Sequence, residues 1–414
     1  MSSLFFLSFF SCVVLSISSC VPDPQLIQRQ VNDAHIPGIA AIVINSSQIL
    51  YQRSFTHNKQ FQGQHLNDKT IFLLGSISKT VVAIAAMQLV EQNQLDLDAD
   101  INTYLNPLPE IVHPLYPDDP LTMRHLLTHT SSISSNVAVE NSFYSPFDNY
   151  TATSLTELCL NYLIRGGYYY SPSNWQDFKT GTQVSYSDVG VALAGLIIEL
   201  ISKMPYDKYI REHIFKPLHL DDATVALADL TPEQRENIVK HYAFNTTVEE
   251  WSRFAPEIEF VEYDSDYPDI KWVNIGPYGF INYPARLLRM SALSLSKYLS
   301  MFLNNGTLNG VTILTAQSIA VIRTIQYPQY PDIESFGLLW YYSNVTSSDL
   351  SVTRRLLGHR GTTPGVRAAM MIDPLTNIGV ILLSNGDIVL NEYQGHILAQ
   401  QLNDILLYLF DCYS

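Results

Sequence analysis

Basic side chains are scarce in this chain: 24 Lys and Arg stand against 39 Asp and Glu in 414 residues, a formal net charge of −15. A surface of that sign offers no face to neutralise a phosphate backbone, so no nucleic-acid partner is expected. Charged residues of both signs make up only 15% of the chain against 47% hydrophobic, which excludes a disordered or fibrous protein. After the first twenty residues no run is long and apolar enough to span a membrane. Cysteine is rare: of four, Cys12 and Cys20 lie at the extreme N-terminus, leaving Cys159 and Cys412 as the two that could pair in the body. Gly-x-Ser-x-Gly is absent, which removes the nucleophile-elbow signature, and no Glu completes an HExxH zinc pattern. There is no internal repeat.

What is present begins with an uncharged leader, MSSLFFLSFFSCVVLSISSC, whose apolar stretch from Leu4 to Ile17 falls short of the roughly 18 to 20 residues of a membrane span. It reads as a secretory signal peptide over residues 1–20, placing the protein outside the cell. Two alternatives are an uncleaved membrane anchor and, from the ending Ile17-Ser18-Ser19-Cys20, a lipid on Cys20. Glycosylation sequons at Asn45, Asn149, Asn245, Asn305 and Asn344 permit a glycoprotein.

Hydrophobic patterning divides the remainder. A short helix is expected near 24–34, then a hairpin, IAAIVINSSQILYQRSF, turning at Asn45 to Ser47. Residues 77–92 are apolar on nearly all faces beyond Lys79, as in a helix buried in an interior. Helices are expected near 122–130, 154–164, 189–203 and 291–303, with Tyr- and Pro-rich loops between them. After residue 335 four strands, FGLLWYYSN, RRLLGHRG, VRAAMMID and IGVILLSN, precede an amphipathic C-terminal helix. Strands at both ends of a helical middle imply an α+β fold. One antiparallel sheet is built from 21–75 and 335–414 and flanked by helices, with a mainly helical part, 76–334, inserted.

Gly75-Ser76-Ile77-Ser78-Lys79 puts a serine and a lysine on one face at the start of the buried helix. A hydroxyl becomes nucleophilic when a neutral amine takes its proton, and burial can keep a lysine neutral. The same spacing recurs at Ser294 and Lys297, but there the lysine is expected on a solvent-facing side. Tyr186-Ser187-Asp188 precedes the apolar helix at Val189, where the phenol is suited to relaying a proton. In Gly358-His359-Arg360-Gly361-Thr362-Thr363-Pro364-Gly365, a strand end meets a turn; His359 is a candidate for binding substrate and the Thr362 N–H for binding an oxyanion. His125 and His129, four apart on an expected helix, lack a third metal ligand and read as packing and capping groups. The aromatic run from Tyr168 to Trp175 reads as a half-exposed loop before a pocket wall.

Together, Gly-Ser-x-Ser-Lys, LTMRHLLTHTSSI, Tyr-Ser-Asp before an apolar helix and GHRGTTPG resemble the serine β-lactamase-like family of class C β-lactamases, penicillin-binding D-peptidases and related esterases. The resemblance spans nearly the whole chain after the leader and implies a β-lactamase/transpeptidase-like fold with its site between sheet and helical part. It implies Ser76 as acyl-accepting nucleophile, Lys79 as its partner, Tyr186 as second acid or base, and His359 with Gly361 on the third-motif strand. Asp188 stands where the family usually has Asn, and next to Lys79 its carboxylate would favour the protonated amine. His359 stands where β-lactamases have Lys. Ser132 stands where relatives commonly have Gly.

The function expected is a secreted serine hydrolase that needs no cofactor and acts on a small ester or peptide-like amide, with Asp188 and His359 among the substrate-contacting groups. The alternative is a binding or assembly protein that keeps the fold with its site weakened by Asp188.

Overall fold

The computed structural model describes residues 20–57, 66–265, 269–327, 335–387 and 392–414. The leader over 1–20 therefore lies, apart from Cys20, outside the described residues.

Helix α1 (Pro24–Asp33) starts where Asp23 caps the Gln25 amide and a proline occupies the first turn. The hairpin follows as β1 (Gly38–Ile44) and β2 (Ile49–Thr56). From the other chain end come β3 (Ser335–Phe336), β4 (Tyr341–Thr346), β5 (Thr353–Thr363), β6 (Val366–Asp373) and β7 (Ile378–Ser384). These form one seven-stranded sheet in the order β3-β4-β5-β6-β7-β1-β2. Every neighbouring pair in it is antiparallel. The chain ends meet at β1 and β7, where Ile39 pairs with Ser384 and Ala41 with Leu382.

All seven residues of β1, GIAAIVI, are buried, because both faces of the sheet are covered. Ile39, Ala41 and Val43 pack into a core shared with α1 and the C-terminal helix. Ala40, Ile42 and Ile44 face the larger core of the helical part. By contrast β2 closes the sheet edge and exposes Gln52 and Arg53.

Helix α2 (Lys79–Glu91) is buried from Lys79 through Leu89 and runs through the middle of the molecule, as its sequence demands. Against it packs α3 (Asp188–Ser202), while α4 (Ala292–Leu303) packs on β1 and β7 of the sheet and reaches α2 through the Tyr298 hydroxyl, 3.2 Å from Thr80 Oγ1. The C-terminal helix α5 (Glu392–Tyr413) covers the other face of the sheet.

Three features add to or differ from what the sequence implied. The mainly helical part also carries strands: residues 241–244, 271–275 and 260–264, joined by 386–387 from near the C-terminus, make a second sheet of four strands. Those strands are short and interrupted by charged and aromatic residues, so no alternation long enough to identify them appears in the sequence. Cys159 does not pair with Cys412; it is free and buried in the core. Cys412 instead bonds Cys20, with Cα atoms 4.6 Å apart, tying together the two ends of the described chain. Third, the helix near 122–130 ends at Leu127, and His129 lies beyond it with φ of 56°. His125 and His129 therefore do not share a helix face.

Candidate active site

The serine of the first motif sits in a 3₁₀ turn, Gly75–Ser78, that leads directly into α2. Ser78 holds the turn by donating to the Gly75 carbonyl and accepting from the Leu288 amide, at 2.6 and 3.0 Å. One turn on, Lys79 is fully buried, and its Nζ donates to Ser76 Oγ at 2.9 Å and to the Ala285 carbonyl at 3.0 Å.

Strand β5 closes on this turn because two glycines permit it. Gly75 has φ of +55°, and a Cβ on it would stand 2.9 Å from the Thr362 nitrogen. A Cβ on Gly361 would stand 2.0 Å from the Leu74 carbonyl oxygen, which is a collision. The Thr362 amide is thereby brought beside the turn that carries Ser76.

The second motif enters from α3. Ser187 caps that helix by accepting from the Gly190 amide, which leaves Tyr186 just outside it and Asp188 in its first turn. The Tyr186 ring lies 4.9 Å from Lys79 Nζ and packs on His129 with ring centroids 4.2 Å apart. Asp188 is wholly buried and ion-paired to Lys79 Nζ at 2.7 Å.

Sequence reading missed Arg286. Its Nε pairs with the other oxygen of Asp188. Nothing in its neighbourhood, Tyr283-Pro284-Ala285-Arg286, marks it out before folding, since its partner is 98 positions away. Asp188 does favour the protonated amine, as expected, but burial outweighs it and Arg286 adds to the lowering. Burial lowers the Lys79 pKa; Asp188 raises it and Arg286 lowers it, and the balance falls at about 8. Asp188 itself would be raised by burial, but Arg286 and Lys79 together hold it below the usual carboxylate range. A neutral fraction of Lys79 therefore exists near physiological pH in spite of the adjacent carboxylate.

His359 is buried on β5, and burial together with Lys79 lowers its pKa to about 3. The ring is neutral at ordinary pH. Its Nδ1 donates to the Arg360 carbonyl at 2.6 Å, which leaves Nε2 as an acceptor. It therefore brings no positive charge to the third-motif strand.

A cavity of about 440 Å³ brings Ser76, Tyr186, His359 and Thr362 together, with Arg286 and Glu140 also on its wall. Gly361 contributes close approach and Asp188 works from behind Lys79. The aromatic loop stays away: Tyr168 is 86% exposed, and Tyr170 and Trp175 line a different cavity. Ser132, in the position relatives give to Gly, has φ of 62° and donates to the Phe178 carbonyl, which makes it a backbone-shaping residue. The second Ser-Lys pair is not assembled, since Lys297 donates to the His219 carbonyl. Among the described residues no group of His, Cys, Asp or Glu is arranged to hold a metal.

An antiparallel sheet made by both chain ends, a helical insert, and a serine joined to a buried lysine where they meet define the serine β-lactamase and penicillin-binding class of protein. A Beta-lactamase family model matches residues 24–402, and the chain belongs to that family. It is 25% identical to the N-acetylmuramyl-L-alanine amidase of Bacillus subtilis over 87% of this chain and 79% of that protein. It is 20% identical to protein flp of Staphylococcus aureus over 91% of its own length, but spans only 64% of that longer protein. The D-amino acid amidase of Ochrobactrum anthropi superposes with a TM-score of 0.66 at 17% identity, covering 94% of this chain and 99% of that one.

Proposed function

We propose that this protein is an exported serine hydrolase that forms an acyl-enzyme on Ser76. One observation carries the reading: a fully buried lysine, its pKa lowered to about 8, donates to the Ser76 hydroxyl at 2.9 Å. In its neutral form Lys79 takes the hydroxyl proton as Oγ attacks an ester or amide carbonyl. The Ser76 and Thr362 N–H groups hold the oxyanion. Tyr186, with its ring beside Lys79, passes the proton to the leaving amine or alcohol, which departs as the acyl ester forms. Water then attacks that ester, releasing the acid and returning the proton to Ser76.

The substrate class is a small ester or peptide-like amide. A neutral His359 on the third-motif strand makes β-lactams, which carry a carboxylate, the poorer fit. The amidase likenesses support the amide side of this reading. The feature that favours a disabled binding protein is Asp188, which stays paired with Lys79; burial and Arg286 nonetheless leave the Lys79 pKa at about 8. Export fits the Cys20–Cys412 bond, since disulfides persist in oxidising compartments. None of the five sequon asparagines is buried, which suits a glycoprotein.

Fluorophosphonate labelling and p-nitrophenyl acetate turnover test the reading directly. A covalent adduct on wild-type protein that disappears in Ser76→Ala is expected. No adduct and no burst between pH 6 and 10 would reject it.

A further inference from the structure

A second cavity, of about 530 Å³, shares no lining residue with the one at Ser76 and takes no part in the chemistry above. Its size is that of a small-molecule site. Leu227, Val239 and Ile275 give it a buried apolar wall. Tyr278, also on that wall, connects it to the third motif: the phenol donates to the Pro364 carbonyl at 2.7 Å and lies 3.1 Å from Thr363 Oγ1. Thr363 and Pro364 line the Ser76 cavity.

The fold draws a cation into this second cavity. Arg289 is only 3% exposed, held in a short strand that pairs with Leu73, just ahead of Gly75. Its guanidinium donates to the backbone carbonyls of Val225, Leu287 and Tyr278, at 2.5, 3.4 and 2.6 Å, which leaves part of a five-donor fork unused. No carboxylate among the described residues pairs with it. Asp148, on the same wall, acts on its charge from a distance, but the Asp148 oxygens accept from the Leu227 and Ala228 amides at 2.9 and 2.8 Å. Arg235 and Lys240, at the exposed rim, add to the positive sign. In a chain of net charge −15, a wall with three cations and one acid is the exception. A buried cation without a counter-ion is costly, and an anion in the cavity would offset that cost.

His241 lies close enough to Arg289 to feel its charge. The ring is 6% exposed, burial and Arg289 lower its pKa to about 3, and its Nε2 has no hydrogen-bond partner. A neutral imidazole carries one N–H, which at Nε2 is available to an acceptor.

We propose that this cavity is a second ligand site, for a small organic acid whose carboxylate meets Arg289 and His241 while its apolar body lies against Leu227, Val239 and Ile275. An amine would meet like charges there, and a neutral apolar molecule would leave the guanidinium without its counter-ion. The site asks nothing of Ser76, so it stands or falls apart from the hydrolase reading.

Calorimetry on wild-type protein at neutral pH tests it, with 1-naphthylacetate and 2-(1-naphthyl)ethanol as probes, neither of which has an acyl bond to cleave. The acid is expected to bind with Kd below about 1 mM and at least about tenfold more tightly than the alcohol, the size of one charge-assisted hydrogen bond. Ala228→Trp, which places a bulky side chain at the exposed rim, is expected to weaken the acid about tenfold or more while the thermal midpoint stays near that of wild type. In Arg289→Gln the acid-to-alcohol ratio falls to near one. No binding of the acid, binding of the alcohol as tight or tighter, an affinity unchanged by Ala228→Trp, or a ratio that survives Arg289→Gln each overturns the proposal. The probe ratio is read on wild-type protein and the rim substitution tells this cavity from the one at Ser76, so the test does not depend on whether Arg289→Gln folds.

Discussion

The chain contains the Ser-x-x-Lys pattern twice, and the two copies have different fates. At Ser76 the serine opens a 3₁₀ turn and Lys79 is sealed inside, held by Ser76, the Ala285 carbonyl and Asp188. At Ser294 the serine lies inside α4, behind its cap Ser291, and Lys297 reaches outward to the His219 carbonyl. Spacing is identical in both, so spacing is not what makes a nucleophile. The difference is burial, which strips water from one amine, together with the groups that other parts of the chain bring to it.

The comparison can be broken by substitution. Ser76→Ala is expected to remove fluorophosphonate labelling and to lower p-nitrophenyl acetate turnover by about 10³-fold or more. Ser294→Ala, outside the site, leaves both unchanged, and the reverse result would transfer the nucleophile to the second copy. Lys79→Ala and Tyr186→Phe each reduce kcat by about 10²-fold or more, whereas Lys297→Ala does not, as steady-state kinetics will show.

A finer test reads the charges around Lys79. Its deprotonation makes turnover rise with pH, with a midpoint set by a pKa of about 8. Arg286 lowers that pKa and Asp188 raises it. Arg286→Gln therefore moves the midpoint of the pH–rate profile to higher pH by about one unit, and Asp188→Asn moves it to lower pH. Shifts in the same direction would refute the three-charge arrangement. The smallest effect on activity belongs to Cys412→Ser, far from the cavity. Loss of the Cys20–Cys412 bond, which closes 392 residues of sequence, costs about 2–5 kcal/mol and lowers the thermal midpoint without changing the pH profile.

Much of this architecture was legible in the residues. The fully apolar β1 and the all-round apolar α2 declared themselves as buried elements, and strand signals at both ends implied one shared sheet. Ser76, Lys79, Tyr186, His359 and Thr362 could be singled out because their motifs, taken together and in order, resemble those of a known family. Less was legible where the signal is short or distant. The second sheet has strands of two to five residues, below the length at which alternation distinguishes strand from loop. The partner of Cys412 was not legible, because pairing is set by proximity in space rather than by position along the chain.

By itself, then, the sequence determined the order of elements and which faces are buried, since these follow from local periodicity; that Tyr186, His359 and Thr362 belong with Ser76 was implied by the resemblance of their motifs taken together. Only the tertiary structure decided the charge state of Lys79. That depends on desolvation and on Asp188 and Arg286, which lie 109 and 207 positions from it and within one ion-pair cluster once folded. Electrostatic energy depends on distance in space and on local dielectric, neither of which the order of residues along the chain records.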